Sequence, residues 1–314
     1  MRKFVIGAVM LAGLATAPAA WAGTTLDRIH SGHLLTCGTT TAVDDYSKSW
    51  THGNLQHLAA DLCQAFAVAT LGEHGKAKLI GYPQREQALA AVRSGKIQVL
   101  IGDTPDPADA KLYRAAYGPT LFEDGQSFLV PKAAGMHRLE DLAGRQICYI
   151  AGTAADRNLI AGFQARQIAY LPFPFEEMGE MEAALVTGHC GAITADRSAL
   201  AVMRSGFHGR IGDFAILDQT ITTEPLAPVY RRDDRAWAAL VDGTVDTLAE
   251  AERQGVTRAN FAAMQTSTDP AIVRLMKTPG VRAIPRVGNL AEIFARDLGE
   301  QSPLHLERQA ALSP

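Results

Sequence analysis

Between Leu34 and Ile101, short apolar runs alternate with amphipathic helical stretches, and this alternation restricts the fold more than any other feature of the chain. Leu34 to Thr39 reads as a strand. Leu55, Leu58, Leu62, Phe66 and Ala69 share one face of a helix that Asn54 would cap and Gly72 would end. Lys78 to Tyr82 reads as a second strand, Gln84 to Ser94 as a helix closed by Gly95, and Ile97 to Ile101 as a third strand. Strand–helix–strand repeats of this kind require a parallel sheet with right-handed crossovers, which places the chain in the α/β class.

The alternation pauses after an expected helix over Ala108 to Ala116 and a strand over Gln126 to Lys132, then resumes. Gln146 to Ile150 reads as a buried strand, Ala151-Gly152-Thr153 as a tight turn, and Ala154 to Gln167 as a helix with Leu159, Ile160 and Phe163 on one face. Met178 to Val186 reads as a helix, Gly191 to Ala195 as a strand ending at Asp196, and Arg197 to Arg204 as the helix behind it. Phe214 to Leu217 is a further strand, and Glu224 to Tyr230 a return crossing that its prolines confine to an edge or hinge. From Asp233 onward the pattern is helical. The expectation is two lobes, residues 23–129 with 229–314 and residues 130–228, joined by two crossings that suit a hinge closing over a ligand.

The first 22 residues are expected to be a signal peptide: Arg2 and Lys3 precede an apolar run from Phe4 to Ala15, and Ala20-Trp21-Ala22 supplies a small-x-small cleavage signal. The run falls short of the ~20 residues a spanning helix needs, so export to the periplasm is favoured over a membrane anchor. Cleavage would take the formal charge from −3 to −5. An acidic chain without a basic block excludes nucleic acid as the expected partner. All four cysteines survive cleavage into an oxidising compartment, and an even count favours disulfides. Three pairings are open. Cys37 with Cys63 and Cys148 with Cys190 is preferred, because each pair then joins elements of one lobe.

Candidate site residues cluster at the expected carboxyl ends of strands, where open α/β sheets bind their ligands. The unpaired N–H groups and positive dipole end at Gly152, Thr153 and Ala154 can hold an anion, and Asp196 can hold an amine. Each of Thr153 and Asp196 can equally be no more than the N-cap of its helix. Asp103 and Thr104 end another strand, with turn formation as their alternative role. Tyr46, Ser47 and Trp50 lie in the loop after the first strand, where pocket walls are commonly built. His30 and His33 lack a third ligand, and no metal or cofactor is expected.

The chain carries the segments Leu34-Leu35-Thr36-Cys37-Gly38, Asp124-Gly125-Gln126-Ser127-Phe128, Gly188-His189-Cys190, Thr194-Ala195-Asp196-Arg197-Ser198 and Glu224-Pro225-Leu226-Ala227-Pro228 in that order. Through them it resembles the periplasmic solute-binding proteins of polar amino acid ABC importers, the larger general L-amino-acid branch in particular, over nearly its whole mature length. The resemblance implies a type II periplasmic-binding fold, a monomer that traps a small polar ligand between closing lobes, and an inner-membrane permease as partner. By position it gives Asp196 the ligand amine, the Gly152–Ala154 turn the α-carboxylate, Tyr46 an aromatic contact and Thr104 a hydroxyl-bearing loop. Two positions depart from the family pattern. Ala110 stands where an Arg pairs with the ligand carboxylate, and Ala154 replaces the second threonine of the turn. Losing such a charge-assisted pair costs ~2 to 5 kcal/mol, with Lys111 or Arg114 as nearby replacements, and it leaves a cationic or uncharged amine-bearing solute open. Two other readings compete: an accessory or sensory protein on the same scaffold, and a dehydratase-like enzyme whose general acid would be Asp103, Asp106 or Glu224.

Overall fold

The computed structural model describes residues 25–40 and 55–308. The expected signal peptide, Tyr46, Ser47, Trp50 and the Asn54 cap lie outside these residues.

The chain begins with α1 (Thr25–Gly32), β1 (Leu34–Thr39), α2 (Leu55–Leu71), β2 (Lys76–Gly81), α3 (Arg85–Ser94) and β3 (Val99–Asp103). β1 pairs in parallel with both β2 and β3, as the alternation demands. Gly95 ends α3 at φ 74°, a left-handed conformation that a Cβ would strain, and its N–H closes the last turn on the carbonyls of Ala91 and Val92. The helix expected over Ala108 to Ala116 is shorter: α4 (Pro107–Leu112) stops, Arg114 turns the chain at φ 53°, and β4 (Ala115–Tyr117) begins. The single left-handed residue reverses the chain direction, which helical periodicity does not register.

β5 (Phe122–Asp124) is followed by β6 (Gln126–Pro131), and here the chain changes sheet. The second unit adds β7 (Gln146–Ile150), α5 (Ala154–Ala165), β8 (Leu171–Phe175), α6 (Met178–Val186), β9 (Ala192–Asp196), α7 (Arg197–Ser205) and β10 (Phe214–Ile216). Its strands lie in the order β10-β6-β9-β7-β8. β11 (Glu224–Arg231) then returns to the first sheet, whose order is β2-β1-β3-β11-β4 with β5 also on β11. The divisions expected at 129/130 and 228/229 therefore fall inside β6 and β11, because the crossings occur where the backbone passes Gly125 and Thr222. A Cβ at position 125 would meet the Thr222 carbonyl, and Gln126 N–H donates to Thr222 Oγ1 (2.8 Å), so glycine is what lets the two crossing segments touch.

β8 escaped the sequence reading because of Pro172 and Pro174. Its geometry explains how it forms: Leu171 N–H donates to the Arg145 carbonyl (2.9 Å) on the β7 side, and with a period of two the prolines face the open edge, where no donor is needed.

Helices α8 (Arg235–Arg253), α9 (Phe261–Met264), α10 (Pro270–Leu275), α11 (Ile284–Val287) and α12 (Leu290–Asp297) pack on the first sheet's side of the molecule. Trp237 of α8 is fully buried beneath it, with Nε1 donating to the Gln98 carbonyl (2.8 Å), so the ring contributes area without an orphaned donor. The segment after α12 crosses to the second unit, where Arg197 donates to the carbonyls of Asp218 and Glu307 and Arg204 to those of Leu304 and His305. Both preferred disulfides are present: Cys37–Cys63 ties β1 to α2 and Cys148–Cys190 ties β7 to the segment entering β9, with Cα separations of 6.0 and 5.9 Å. Closing loops of 26 and 42 residues contributes ~3 to 4 kcal/mol each in the chain-entropy account.

Candidate functional site

Asp196 ends β9 and stands at the N-terminus of α7, yet its carboxylate makes no capping bond there. Another residue holds that position. Asp124, buried at the end of β5, accepts the Ser198 N–H (3.3 Å), the Ser198 hydroxyl (2.6 Å) and the Gly125 N–H (2.9 Å). The helix terminus thus receives its anion from a segment 74 residues away. Asp196 is released from that duty and is left without a hydrogen-bond partner among the described residues. Burial first, then the negative charges of Glu224 and Asp124, push its carboxyl from the ordinary 3.8 up to about 7. Register explains the convergence: Glu224 lies opposite Asp124, and Gln126 opposite Asp196, so two residues of chain bring three carboxylates together.

At the N-terminus of α5, Thr153 caps the helix, its Oγ1 accepting from Asp156 N–H (3.3 Å) and donating to the Ile150 carbonyl (2.7 Å). Both readings of this residue therefore meet in one place: it is a cap, and it also lines a cavity. The turn already carries an anion of its own, since Asp156 accepts the Gly152 N–H (3.0 Å). Of the three backbone donors expected to face a carboxylate, Gly152 is occupied by that side chain.

A cavity of ≈ 300 Å³ opens between these elements, with Thr153, Ala154, Asn158, Thr194, Asp196 and Glu224 in its wall. A second, of ≈ 620 Å³, shares Met178, Asp196, Ala199 and Met203 with it and extends to Leu55 and Gln56 at the start of α2, beside the first sheet. Behind the first wall, Gln126 is fully buried, with Nε2 donating to the Ala155 carbonyl (2.8 Å) and Thr194 Oγ1 (3.0 Å). Its Oε1 has no partner among the described residues.

The rim of the first sheet is arranged differently. Asp103 is 4% exposed and takes Arg85 Nε at 2.6 Å and Nη2 at 3.0 Å, with the Tyr117 hydroxyl at 3.3 Å. Arg85 also reaches Asp109 and the Thr104 carbonyl (3.2 Å). Burial raises the Asp103 carboxyl, against the pull of Arg85, and burial with the nearby Asp103 charge lifts the Tyr117 hydroxyl to about 12. Asp106 caps α4, accepting from Ala108 N–H (2.7 Å) and Asp109 N–H (3.0 Å). Lys111 and Arg114 are exposed, and neither they nor Asp103 and Thr104 line either cavity.

The structure thus brings Thr153, Ala154 and Asp196 together, with Gly152 adjoining, and sets Asp103 and Thr104 apart in an ion-pair cluster. Tyr46 lies outside the described residues. Sequence reading missed Arg85, which carries no motif, and Asp124, whose position before a strand gave no sign of a distant helix. It noted Glu224 only as a possible acid. Among the described residues no group of three or more His, Cys, Asp or Glu is placed to hold a metal ion, and no helix is long and apolar enough to cross a membrane.

No protein-family model matches the chain. Curated proteins do. It is 31% identical to the general L-amino acid-binding periplasmic protein AapJ of Rhizobium johnstonii, over 98% of this chain and 94% of that one. It is 30% identical to the glutamate/glutamine/aspartate/asparagine-binding protein BztA of Rhodobacter capsulatus, over 96% and 93%. Among solved structures, an ABC transporter periplasmic binding protein from Brucella ovis with glutathione bound superposes with a TM-score of 0.72 at 29% identity, covering 91% of this chain and 94% of that one. An ancestral cationic amino acid solute-binding protein, 21% identical over 74% of this chain and 95% of its own, superposes at 0.53 and shares the fold. Two sheets flanked by helices are the type II periplasmic-binding arrangement, and the chain belongs to the family of periplasmic binding proteins of amino-acid ABC transporters.

Proposed function

We propose that the protein is an exported, monomeric periplasmic receptor that captures a small amine-bearing solute, an amino acid or a relative, and delivers it to an ABC permease. The observation that carries this reading is the Asp196 carboxylate, unpartnered in the wall of a ≈ 300 Å³ cavity that Thr153 and Ala154 also line. A half-buried carboxylate without a partner is costly, and an ammonium group supplies the missing charge and up to three donors. The relatives are binding proteins, and binding with no covalent step is the assigned activity. Of the three acids considered for dehydratase chemistry, Asp103 is tied to Arg85 and Asp106 caps α4, and only Glu224 lines the cavity. We assign the ligand amine to Asp196 and a supporting role to the turn at Gly152, Thr153 and Ala154.

The test is calorimetry of the mature protein, dialysed free of carried-over solute, against amino acids and simple amines. Saturable heat that Asp196→Asn abolishes is the expected result, and no heat from any of them at millimolar concentration would end the reading. The mass of the protein recovered from a periplasmic extract checks export, with a start at Gly23 expected.

A further inference from the structure

We propose that the ligand is a net cation, an aliphatic chain carrying two ammonium groups, and that Glu224 holds the second of them beside Asp196. The inference rests on the receptor reading above and adds the charge class of the guest. Across the two joined cavities the wall presents Asp196, Glu224 and Glu182, and among the described residues no lysine, arginine or histidine lines either one. Glu224 is only partly engaged, its Oε1 accepting from the Thr222 hydroxyl (2.9 Å).

Among the described residues, groups that would hold a ligand carboxylate are missing or spent. Ala110 brings no charge, Arg85 is bound between Asp103 and Asp109, and Asp156 sits on the Gly152 N–H at the head of α5. Like charges across a wall of this kind cost more than the remaining N–H donors return, so acidic solutes are selected against.

The same walls also carry Met178, Met181, Met203 and Ala199. Thioether side chains adapt to a methylene chain without presenting a polar group to it.

Calorimetry at pH 8 with L-lysine, L-ornithine, putrescine, cadaverine, n-butylamine, L-glutamine and L-glutamate tests the assignment. A two-ammonium compound is expected to bind at least about tenfold tighter than L-glutamine and L-glutamate. Lysine or ornithine in front identifies basic amino acids, and putrescine or cadaverine in front identifies diamines. Glu224→Gln is expected to weaken the best dication by roughly tenfold or more and to weaken n-butylamine by less than it weakens the dication. Equal or tighter binding of L-glutamine or L-glutamate overturns the charge assignment and leaves the receptor reading standing. An unchanged dication affinity in Glu224→Gln removes Glu224 from the site, and no binding of any compound overturns both readings.

Discussion

Asp103 and Asp196 each end a strand at the carboxyl edge of a sheet, and the two sheets treat them in opposite ways. Asp103 is buried in a closed ion-pair cluster with Arg85, its charge answered within the protein. Asp196 is deprived of a partner because Asp124 has taken the helix terminus it would otherwise cap. Location at a strand's end makes a residue eligible for a site. What decides the outcome is whether a neighbouring element neutralises it first, and only the unneutralised one has free energy left to offer a ligand.

The contrast is broken most directly by Asp196→Asn. Affinity for the best amine should fall by at least ~30-fold, since a buried charge-assisted pair is worth about 2 to 5 kcal/mol. The same substitution should stabilise the ligand-free protein at pH 8 by roughly 1 to 3 kcal/mol, a figure kept low for the partial exposure of the side chain, and thermal melts would show it as a rise of several degrees. A variant that binds as well as the parent would place Asp196 with Asp103 as a structural group.

A pH series sharpens the same point. Between roughly pH 4 and pH 7 the folded state holds a proton on Asp196 that the unfolded state has released. Stability therefore declines through that window as pH rises, and the decline should be shallower in Asp196→Asn. Binding needs the ionised form, so affinity for a permanently charged amine should drop about tenfold from pH 8 to pH 6. A flat profile would mean that the ligand does not read this carboxylate.

Asp124→Ala tests the cause. With the terminus of α7 vacated, Asp196 is drawn back to its own helix cap, and a several-fold loss of affinity is expected by calorimetry, together with about 1 to 2 kcal/mol of stability in urea melts. The smallest effect on binding belongs to Arg85→Ala, under about threefold. Its cost is structural, about 1 to 3 kcal/mol for leaving Asp103 buried and unpaired, reduced because 32% of the Arg85 side chain is exposed. If this variant lost more affinity than stability, the rim of the first sheet would have to be counted in the site.

Much of the fold was legible in advance because it rests on local periodicity. The β1, α2 and α3 patterns appear where expected, as do both disulfides, Cys37–Cys63 between β1 and α2 and Cys148–Cys190 between β7 and the segment entering β9. The departures come from features that periodicity does not encode: one left-handed residue at Arg114 that cuts α4 short, and alternating prolines at 172 and 174 that disguise an edge strand. In the site, Asp196 and Thr153 were visible as residues at strand ends. Whether either was a cap or a binding group was not, since both roles favour the same side chains.

The sequence by itself determined the α/β class, the pairing of strands with helices, and which residues reach the carboxyl edges of the sheets, because those follow from the spacing of apolar side chains and the chemistry of turns. Only the tertiary structure decided which of those residues stay available. Arg85 reaches Asp103 across 18 residues, Asp124 reaches Ser198 across 74, and Glu224 comes beside Asp196 through strand register. The physical reason is that charge is neutralised through space, over distances of a few ångströms, and that proximity is set by packing between elements rather than by order along the chain.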